Sequence, residues 1–225
     1  MKQNILLGSY GWRHQHWKGA FYPQDLPDSD DDDWRLAYYS NEFGAVMVPA
    51  SYWSSDGCCA DRFTEWRDAV NQQFRFLIEC STDMFDADNP GSVTIDDFSD
   101  CLQVLATQTT ALVLCDSIKY STASLATLTQ LAQSHQLKLL SVGEHDSESV
   151  DHKLQEVWQP GSDVASDVAL IESDLSDLRQ VRGMIESFVA CCDVDNAESV
   201  MIIRHPELRA SDLSDLRSVL EIMGY

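Results

Sequence analysis

The segment NILLGSYGWRHQHW, residues 4–17, joins a short apolar run to a loop rich in aromatic residues and histidines. The apolar part is nearly continuous, which is typical of a parallel β-strand that is covered on both faces. Similar runs recur along the chain, and segments with helical i, i+3, i+4 spacing lie between them. The further runs are AVMVPA (45–50), FRFLIEC (74–80), ALVLC (111–115), LKLLSVG (137–143), DVALIES (167–173) and SVMIIRH (199–205).

This alternation of strands and helices predicts an α/β fold with a parallel sheet. No glycine-rich phosphate loop follows any of the apolar runs, which disfavours a dinucleotide-binding fold. We therefore predict a TIM-barrel-like parallel (β/α) barrel that is incomplete, with about seven strands, because the chain is short for the full architecture. Residues 1–225 are predicted to form one such domain. Residues 148–163 are the weakest part of the pattern and are interpreted as a lost or shrunken sixth strand–helix unit.

The helical segments carry recognisable start signals. They are predicted over residues 34–43, 59–72, 95–108, 121–135, 175–191 and 213–223. The heptapeptide SDLSDLR occurs twice, at residues 173–179 and 211–217. Its serines can cap a helix and its aspartates suit a first helical turn. We expect both copies to form equivalent strand-to-helix junctions.

The net charge of the chain limits the classes of partner that it is expected to bind. With 15 Lys and Arg against 37 Asp and Glu, the formal net charge is −22. The basic residues are scattered, so neither nucleic acids nor anionic membranes are expected as partners. The acidic run at 28–33 is interpreted as a solvated loop, because it lacks the ligand spacing and turn glycine of a calcium loop.

Neither a signal peptide nor a membrane-spanning helix is expected. The first apolar run is too short for a signal peptide, and no stretch reaches the roughly 18 apolar residues that a spanning helix needs. The seven cysteines contain no CxxC motif. Two of them, Cys80 and Cys115, lie in strand-like runs, where a reduced cysteine behaves as a small apolar residue. A reducing cytoplasm is the expected location.

Barrels of this kind carry their functional residues at the carboxyl ends of the strands. Four histidines are predicted to lie there, and a metal site built from them is one hypothesis, because imidazole suits zinc and other divalent metals. These candidate ligands are His14, His16, His145 and His205. The other hypothesis is that these histidines bind no metal, and no cofactor is predicted. Neither a nucleophile elbow nor a specific pair of carboxylates is evident.

Three stretches resemble a known family: GSYGWRHQHWKGAFYPQDLP (8–27), WRLAYYSNEFGAVMVPASYW (34–53) and FTEWRDAVNQQFRFLIEC (63–80). Together they are similar to the YecE-like family, the domain of unknown function numbered seventy-two, and the last strand and helix resemble its ending. The resemblance implies a TIM-barrel-like fold and brings no generally established activity. The positions that follow the family pattern are Gly8, Gly11, Trp12, Phe21, Tyr22, Pro23, Tyr38, Tyr39, Phe43 and Trp66.

The polar positions depart from the family pattern. Met47 and Pro49 stand where the family has Glu and Asn, Glu79 stands for a Lys, and Arg204 and His205 stand for paired asparagines. Of a Glu-x-Arg-His group, His145 alone is kept. The scaffold positions are thus retained while the polar positions are eroded, as in a pseudoenzyme.

Two functions remain open, and whether the protein is an enzyme is not decided by the sequence. The first is a non-catalytic or divergent module that binds a small molecule or a protein partner. The alternative is a metal-assisted hydrolase. An incomplete barrel exposes strand edges, so a homodimer or a covering loop is expected. The candidate pocket residues are Trp12, His14, His16, Tyr52, Trp53, Glu79, His145, Arg204 and His205.

Overall fold

A computed structural model of the chain describes residues 4–25, 33–54, 59–86, 92–116, 119–143, 154–192 and 198–225. Its helices and strands follow in this order: β1 (Asn4–Tyr10), α1 (Asp33–Ser40), β2 (Ala45–Val48), α2 (Cys59–Ala69), β3 (Arg75–Glu79), α3 (Ile95–Val104), β4 (Thr109–Leu114), α4 (Thr122–Ser134), β5 (Lys138–Ser141), β6 (Gln155–Glu156), β7 (Val168–Ile171), α5 (Leu178–Cys191), β8 (Glu198–Ile203) and α6 (Ala210–Met223). Short 3₁₀ helices lie at Gln15–Trp17, Ala50–Tyr52 and Thr82–Phe85.

The chain divides into two compact units. The first unit is Met1–Val46 with Val157–Tyr225, and the second unit is Met47–Glu156. Strand β2 carries the chain from the first unit into the second. That residues 1–225 form a single domain stays a prediction.

In the first unit, β8 lies between β1 and β7 and is parallel to both. Trp158 forms a further parallel bridge with Ala169 of β7. Its indole packs on Phe188 of α5, with ring centroids 5.4 Å apart. In the second unit, β3, β4, β5 and β6 pair in sequence order, again all in parallel.

The predicted α/β class is confirmed, and every predicted apolar run contains a strand. These strands are almost wholly buried, as β2 and β7 illustrate, because helices and sheet together exclude water from both faces. The described residues hold eight strands, one more than the seven runs suggest. The additional strand is β6, which has two residues and lies within the segment 148–163 that we interpreted as a shrunken unit. Residues 144–153 lie outside the described part.

A hydrogen-bonded tyrosine fixes the start of the first unit. The Tyr39 hydroxyl, on α1, donates to the Ala45 carbonyl at 2.9 Å and accepts from the Ser9 amide at 2.8 Å. Tyr39 is fully buried, and burial raises the pKa of its hydroxyl above the ordinary range, so the group stays a neutral donor. The Ser9 side chain faces α1, because its Oγ lies 3.1 Å from the Tyr39 hydroxyl, and it donates to the Gly11 carbonyl at 2.7 Å.

The repeated heptapeptide does not form two equivalent junctions, and that expectation was wrong. In residues 173–179 the first five residues form no regular secondary structure, Leu175 has a φ of 58°, and α5 begins only at Leu178. In residues 211–217 the same letters lie wholly inside α6. The difference arises upstream, because α6 has already begun at Ala210, where the Arg209 amide donates to the Asp212 carboxylate. The predicted helix start at 175 is therefore three residues early.

The two copies give a matched pair of substitutions. Asp177 accepts from the amides of Arg179 and Gln180 and so caps α5, whereas Asp215, at the same place in the heptapeptide, lies inside α6. We expect Asp177→Ala to lower the free energy of unfolding by about 1 kcal/mol, the usual value of an N-cap. Asp215→Ala should change it by less than about 0.5 kcal/mol. Urea denaturation of both variants tests this, and equal losses would contradict the capping role.

The structure bears on two further predictions, the membrane-spanning helix and the state of the cysteines. No helix in the described part of the chain is long and apolar enough to cross a membrane. Cys80, Cys115, Cys191 and Cys192 carry reduced thiols, whereas Cys101 forms a disulfide. Disulfides are rare in the cytosol, so Cys101 does not support the cytoplasmic location, which stays a prediction.

Candidate functional site

The loop after β1 is held to the loop after β8 by one shared acceptor. The Leu208 carbonyl accepts from His16 Nε2 at 2.6 Å and from the Trp17 indole at 2.5 Å. Trp17 is buried and its ring stacks on that of Tyr39. Since a carbonyl only accepts, His16 Nε2 must carry a proton, and this nitrogen is not available to a metal in this arrangement.

His14 lies against the same tryptophan. Its ring centroid is 4.3 Å from that of Trp17 and 5.6 Å from that of His16. Its Nε2 is buried and has no hydrogen-bond partner among the described residues, while the ring interacts with the Gly11 backbone. Burial, with a smaller contribution from His16, lowers the pKa of His14 to about 4. The imidazole is therefore neutral at physiological pH.

This pKa predicts a pH dependence of stability. In the unfolded chain His14 has its ordinary pKa of 6.5. Between pH 6.5 and 4, His14 is therefore protonated in the unfolded state and stays neutral in the folded state. Above pH 6.5 His14 should not lower the free energy of unfolding. As the pH drops towards 4, the free energy of unfolding should fall by up to about 3 kcal/mol. We expect the stability difference between the wild type and His14→Gln to change accordingly in urea denaturation at each pH. A difference that stays constant from pH 7.5 to 4.5 would contradict the assignment.

Trp12 belongs to the core of the first unit. It has no exposed surface, and its backbone carbonyl accepts from the Tyr22 hydroxyl at 2.7 Å. The Arg13 guanidinium lies 5.7 Å from the centre of its ring. Trp12 is therefore a core residue, and its side chain has no exposed surface that a ligand could contact.

Arg204 and His205 directly follow β8, as predicted. Arg204 donates from Nε to Glu172 Oε1 at 2.7 Å, its Nη2 contacts the same oxygen, and its guanidinium lies 5.6 Å from the ring centre of Tyr10. His205 Nδ1 accepts from the Glu207 amide at 3.3 Å. The pKa of nearby Asp174 is lowered, mainly by the hydrogen bond from the Ser176 amide and in small part by His205.

Glu79, in the second unit, fastens the loop after β2. Its Oε2 accepts from the Ala50 amide at 2.9 Å, which lies at the start of the 3₁₀ helix Ala50–Tyr52. Its carbonyl accepts from the Trp53 indole at 3.2 Å. Glu79 thus lies at the end of β3, and its carboxylate accepts a hydrogen bond from a backbone amide.

Trp53 and Tyr52 differ in exposure. Trp53 is fully buried and stacks face to face on Phe98, with centroids 4.3 Å apart and planes 8° apart. Tyr52 is half-buried, and its backbone carbonyl accepts from Arg62 at 2.6 Å. Of these two predicted pocket residues, Tyr52 is the one with an exposed surface that a ligand could contact.

Cys80, next to Glu79, has the environment of an unreactive thiol. It is buried, and this burial, together with Glu79 and Cys115, raises the pKa of the thiol above its ordinary range. The Tyr120 hydroxyl donates to its backbone carbonyl at 2.8 Å. Because the thiolate is the nucleophile, this environment disfavours covalent catalysis by Cys80.

The structure brings together only part of the predicted metal ligands. His14 and His16 lie together after β1, with ring centroids 5.6 Å apart, His205 follows β8, and His145 lies outside the described residues. Among the residues that are described, no group of three or more His, Cys, Asp or Glu side chains could hold a metal ion.

Two residues of the site were missed by sequence analysis, Tyr10 and Glu172. Each is the residue just beyond the paired core of its strand, level with Arg204. The signal was available in part, since both lie at the ends of predicted apolar runs. Their proximity to Arg204 depends on the pairing of β1 and β7 with β8, which the sequence does not specify.

The comparisons with known structures agree with this architecture. A DUF72 family protein from Enterococcus faecalis V583 has a crystal structure similar to this fold, with a TM-score of 0.52, 13% identity, and coverage of 96% of this chain and 95% of that one. The octameric ribulose-1,5-bisphosphate carboxylase/oxygenase of Pyrococcus horikoshii OT3 gives a TM-score of 0.57 at 9% identity, and the match spans 99% of this chain and 59% of that one. No curated protein matches the sequence.

These findings define an α/β protein with an incomplete, TIM-barrel-like parallel fold. The family described as "Protein of unknown function DUF72" matches residues 6–142, which is more than half of the chain. The chain belongs to this family, and the predicted resemblance is confirmed.

Proposed function

We propose that this DUF72 protein is a non-catalytic or divergent binding module, which takes a small molecule or a protein partner at the carboxyl ends of its strands. One observation carries the proposal: polar side chains at these ends are engaged by their own unit. His16 donates to the Leu208 carbonyl, Glu79 accepts from the Ala50 amide, and Arg204 binds Glu172.

Such contacts suit a scaffold better than a reaction centre. A general base needs a lone pair directed at the substrate, and a nucleophile needs an activating partner. His16 Nε2 instead carries a proton, and Cys80 is held as a thiol. The exposed parts of Tyr52, Arg204 and His205 can still contact a ligand without taking part in chemistry.

The alternative is a metal-assisted hydrolase with His14, His16, His145 and His205 as ligands. One observation favours it, because a neutral His14 with a buried, unpartnered Nε2 is the form that binds a metal. His16 weighs against it, because its Nε2 already donates to Leu208 and Nδ1 is left as its one ligand atom. This alternative requires zinc or another divalent metal.

The net charge supports further parts of the proposal. We infer that neither nucleic acid nor an anionic membrane is a partner, because a net charge of −22 repels both. A cytoplasmic location is proposed as well, and so is a homodimer, because an incomplete barrel exposes strand edges. Light scattering of the full chain tests the dimer, and a monomer would contradict it.

The test combines turnover with binding, both on the full chain. Chromogenic ester, phosphoester and glycoside substrates, each with Zn²⁺, Mn²⁺ or Mg²⁺, should give no turnover above background. In ligand-observed NMR with mixtures of organic acids, amino acids, sugars and nucleosides, we expect a subset to bind. Binding should be lost in Arg204→Gln/His205→Gln or in Tyr52→Ala.

Arg182→Gln is the control variant, because Arg182 is an exposed residue of α5 whose side chain pairs with Glu186 of the same helix. It should bind the same ligands as the wild type. Metal-dependent turnover that disappears in His14→Ala/His16→Ala would overturn the proposal in favour of the hydrolase.

A further inference from the structure

We propose that Tyr10, Arg204 and Glu172 form a site that binds the carboxylate group of a small ligand. This inference rests on the proposed function and names the ligand class for the first unit. The site is a row of three side chains, one from the end of each of three neighbouring strands.

The strand pairing places the three residues level with one another. Ser9 pairs with Ile203, and Ile203 pairs with Ile171. The next residue of each chain segment is Tyr10, Arg204 or Glu172, so these three continue the same level of the sheet.

The row faces away from helix α1. Successive side chains of a strand point to opposite faces. Since Ser9 contacts Tyr39 of α1, Tyr10 is directed to the other face. Arg204 is on the same face, because its guanidinium lies over the Tyr10 ring at 5.6 Å.

Arg204 supplies the recognition chemistry. Its guanidinium is planar and always charged, and it presents a fork of donors that matches a carboxylate. The ring of Tyr10 fixes the plane of the guanidinium from one side through a cation–π contact. The side chain of Arg204 is 26% exposed, so a ligand can approach it from solvent.

Glu172 occupies the position that a ligand carboxylate would take. A single oxygen of Glu172, Oε1, accepts hydrogen bonds from both Nε and Nη2 of Arg204. Its side chain is 53% exposed, and an exposed ion pair of this kind contributes little to stability. A free carboxylate can therefore replace Glu172 at a small cost, and Glu172 competes with the ligand.

The charge of the protein selects a carboxylate over a phosphate. A net charge of −22 repels any anion, and it repels a dianion more strongly than a monoanion. A single guanidinium can neutralise one carboxylate. Inorganic phosphate should therefore bind more weakly than a simple carboxylate.

The experiment follows the side-chain Nε–Hε resonance of Arg204 by ¹⁵N NMR in the full chain, assigned by its absence in Arg204→Lys. Sodium acetate is the probe, acetamide is its neutral isostere, and inorganic phosphate is the competing anion, all at constant ionic strength. We expect a saturable shift with acetate and none with acetamide. Glu172→Gln should bind acetate up to about five-fold more tightly, because the competing carboxylate is gone.

Two variants complete the design. Arg204→Lys keeps the charge but loses the fork, and backbone amide shifts around residues 203–205 should then show no saturable binding of acetate. Arg182→Gln should bind like the wild type. The absence of a saturable shift, an equal shift with acetamide, tighter binding of phosphate, or unchanged affinity in Glu172→Gln would each overturn the carboxylate site.

The outcome is separable from the proposed function. If acetate fails while the NMR mixtures still contain a ligand that is lost in the Arg204→Gln/His205→Gln or Tyr52→Ala variant, the carboxylate site alone is rejected. If metal-dependent turnover is found, the proposed function is rejected whatever acetate does.

Discussion

Replacing Gly8 by alanine is expected to prevent stable folding of the chain. A Cβ added at Gly8 would lie 2.0 Å from the Ala45 carbonyl oxygen and 2.6 Å from its carbon, both of them backbone atoms. That carbonyl cannot move aside easily, because it accepts from the buried Tyr39 hydroxyl, which also receives the Ser9 amide. We expect Gly8→Ala to lower the free energy of unfolding by more than about 4 kcal/mol or to abolish the cooperative transition.

Gly183→Ala is the matched control. Gly183 lies within α5, and an added Cβ would meet no atom within 4 Å. Alanine there should stabilise the protein by up to about 1 kcal/mol, because glycine is a poor helix former. Circular dichroism and urea denaturation measure both variants. A Gly8→Ala protein with wild-type stability would show that β1 does not approach Ala45 as described.

The second large effect is expected for Trp53→Ala, with a loss of about 3–5 kcal/mol in the free energy of unfolding. Trp53 was a candidate for contacting a ligand, but it has no exposed surface and stacks on Phe98. Its removal would leave a cavity against that ring and would also lose the hydrogen bond to the Glu79 carbonyl.

Tyr52→Ala tests the neighbouring position. Tyr52 is half-buried, and the contact with Arg62 uses its backbone carbonyl, which the substitution keeps. We expect a loss of about 1 kcal/mol or less for this variant. If Trp53→Ala were as stable as Tyr52→Ala in urea denaturation, Trp53 would be a surface residue and the core assignment would fail.

The sequence predicted the strands well because buried parallel strands are marked by continuous apolar runs, such as the one that becomes β2. Helix starts depend on local hydrogen bonds that composition does not reveal. In the copy at 173–179, Ser173 and Asp174 accept from the amides two residues on, whereas the copy at 211–217 lies inside a helix that has begun at Ala210. Identical letters therefore give different structures.

The positions of the candidate site residues could be predicted from the sequence, but their hydrogen-bond partners could not. His16 was placed at a strand end from the strand–loop pattern, and Glu79 from its place in the family pattern. Their partners, Leu208 and Ala50, lie 192 and 29 residues away in the chain. Which polar atom a loop residue meets depends on how distant loops fold back, and a pattern of residue types carries no such information.

The most direct test of this account is the metal content of tag-free protein by mass spectrometry, beside a His14→Ala/His16→Ala variant. We predict no stoichiometric transition metal in either protein, because His16 donates to the Leu208 carbonyl and the binding role needs no ion. About one equivalent of zinc in the wild type, lost in the variant, would contradict the account and would make the first loop a metal centre.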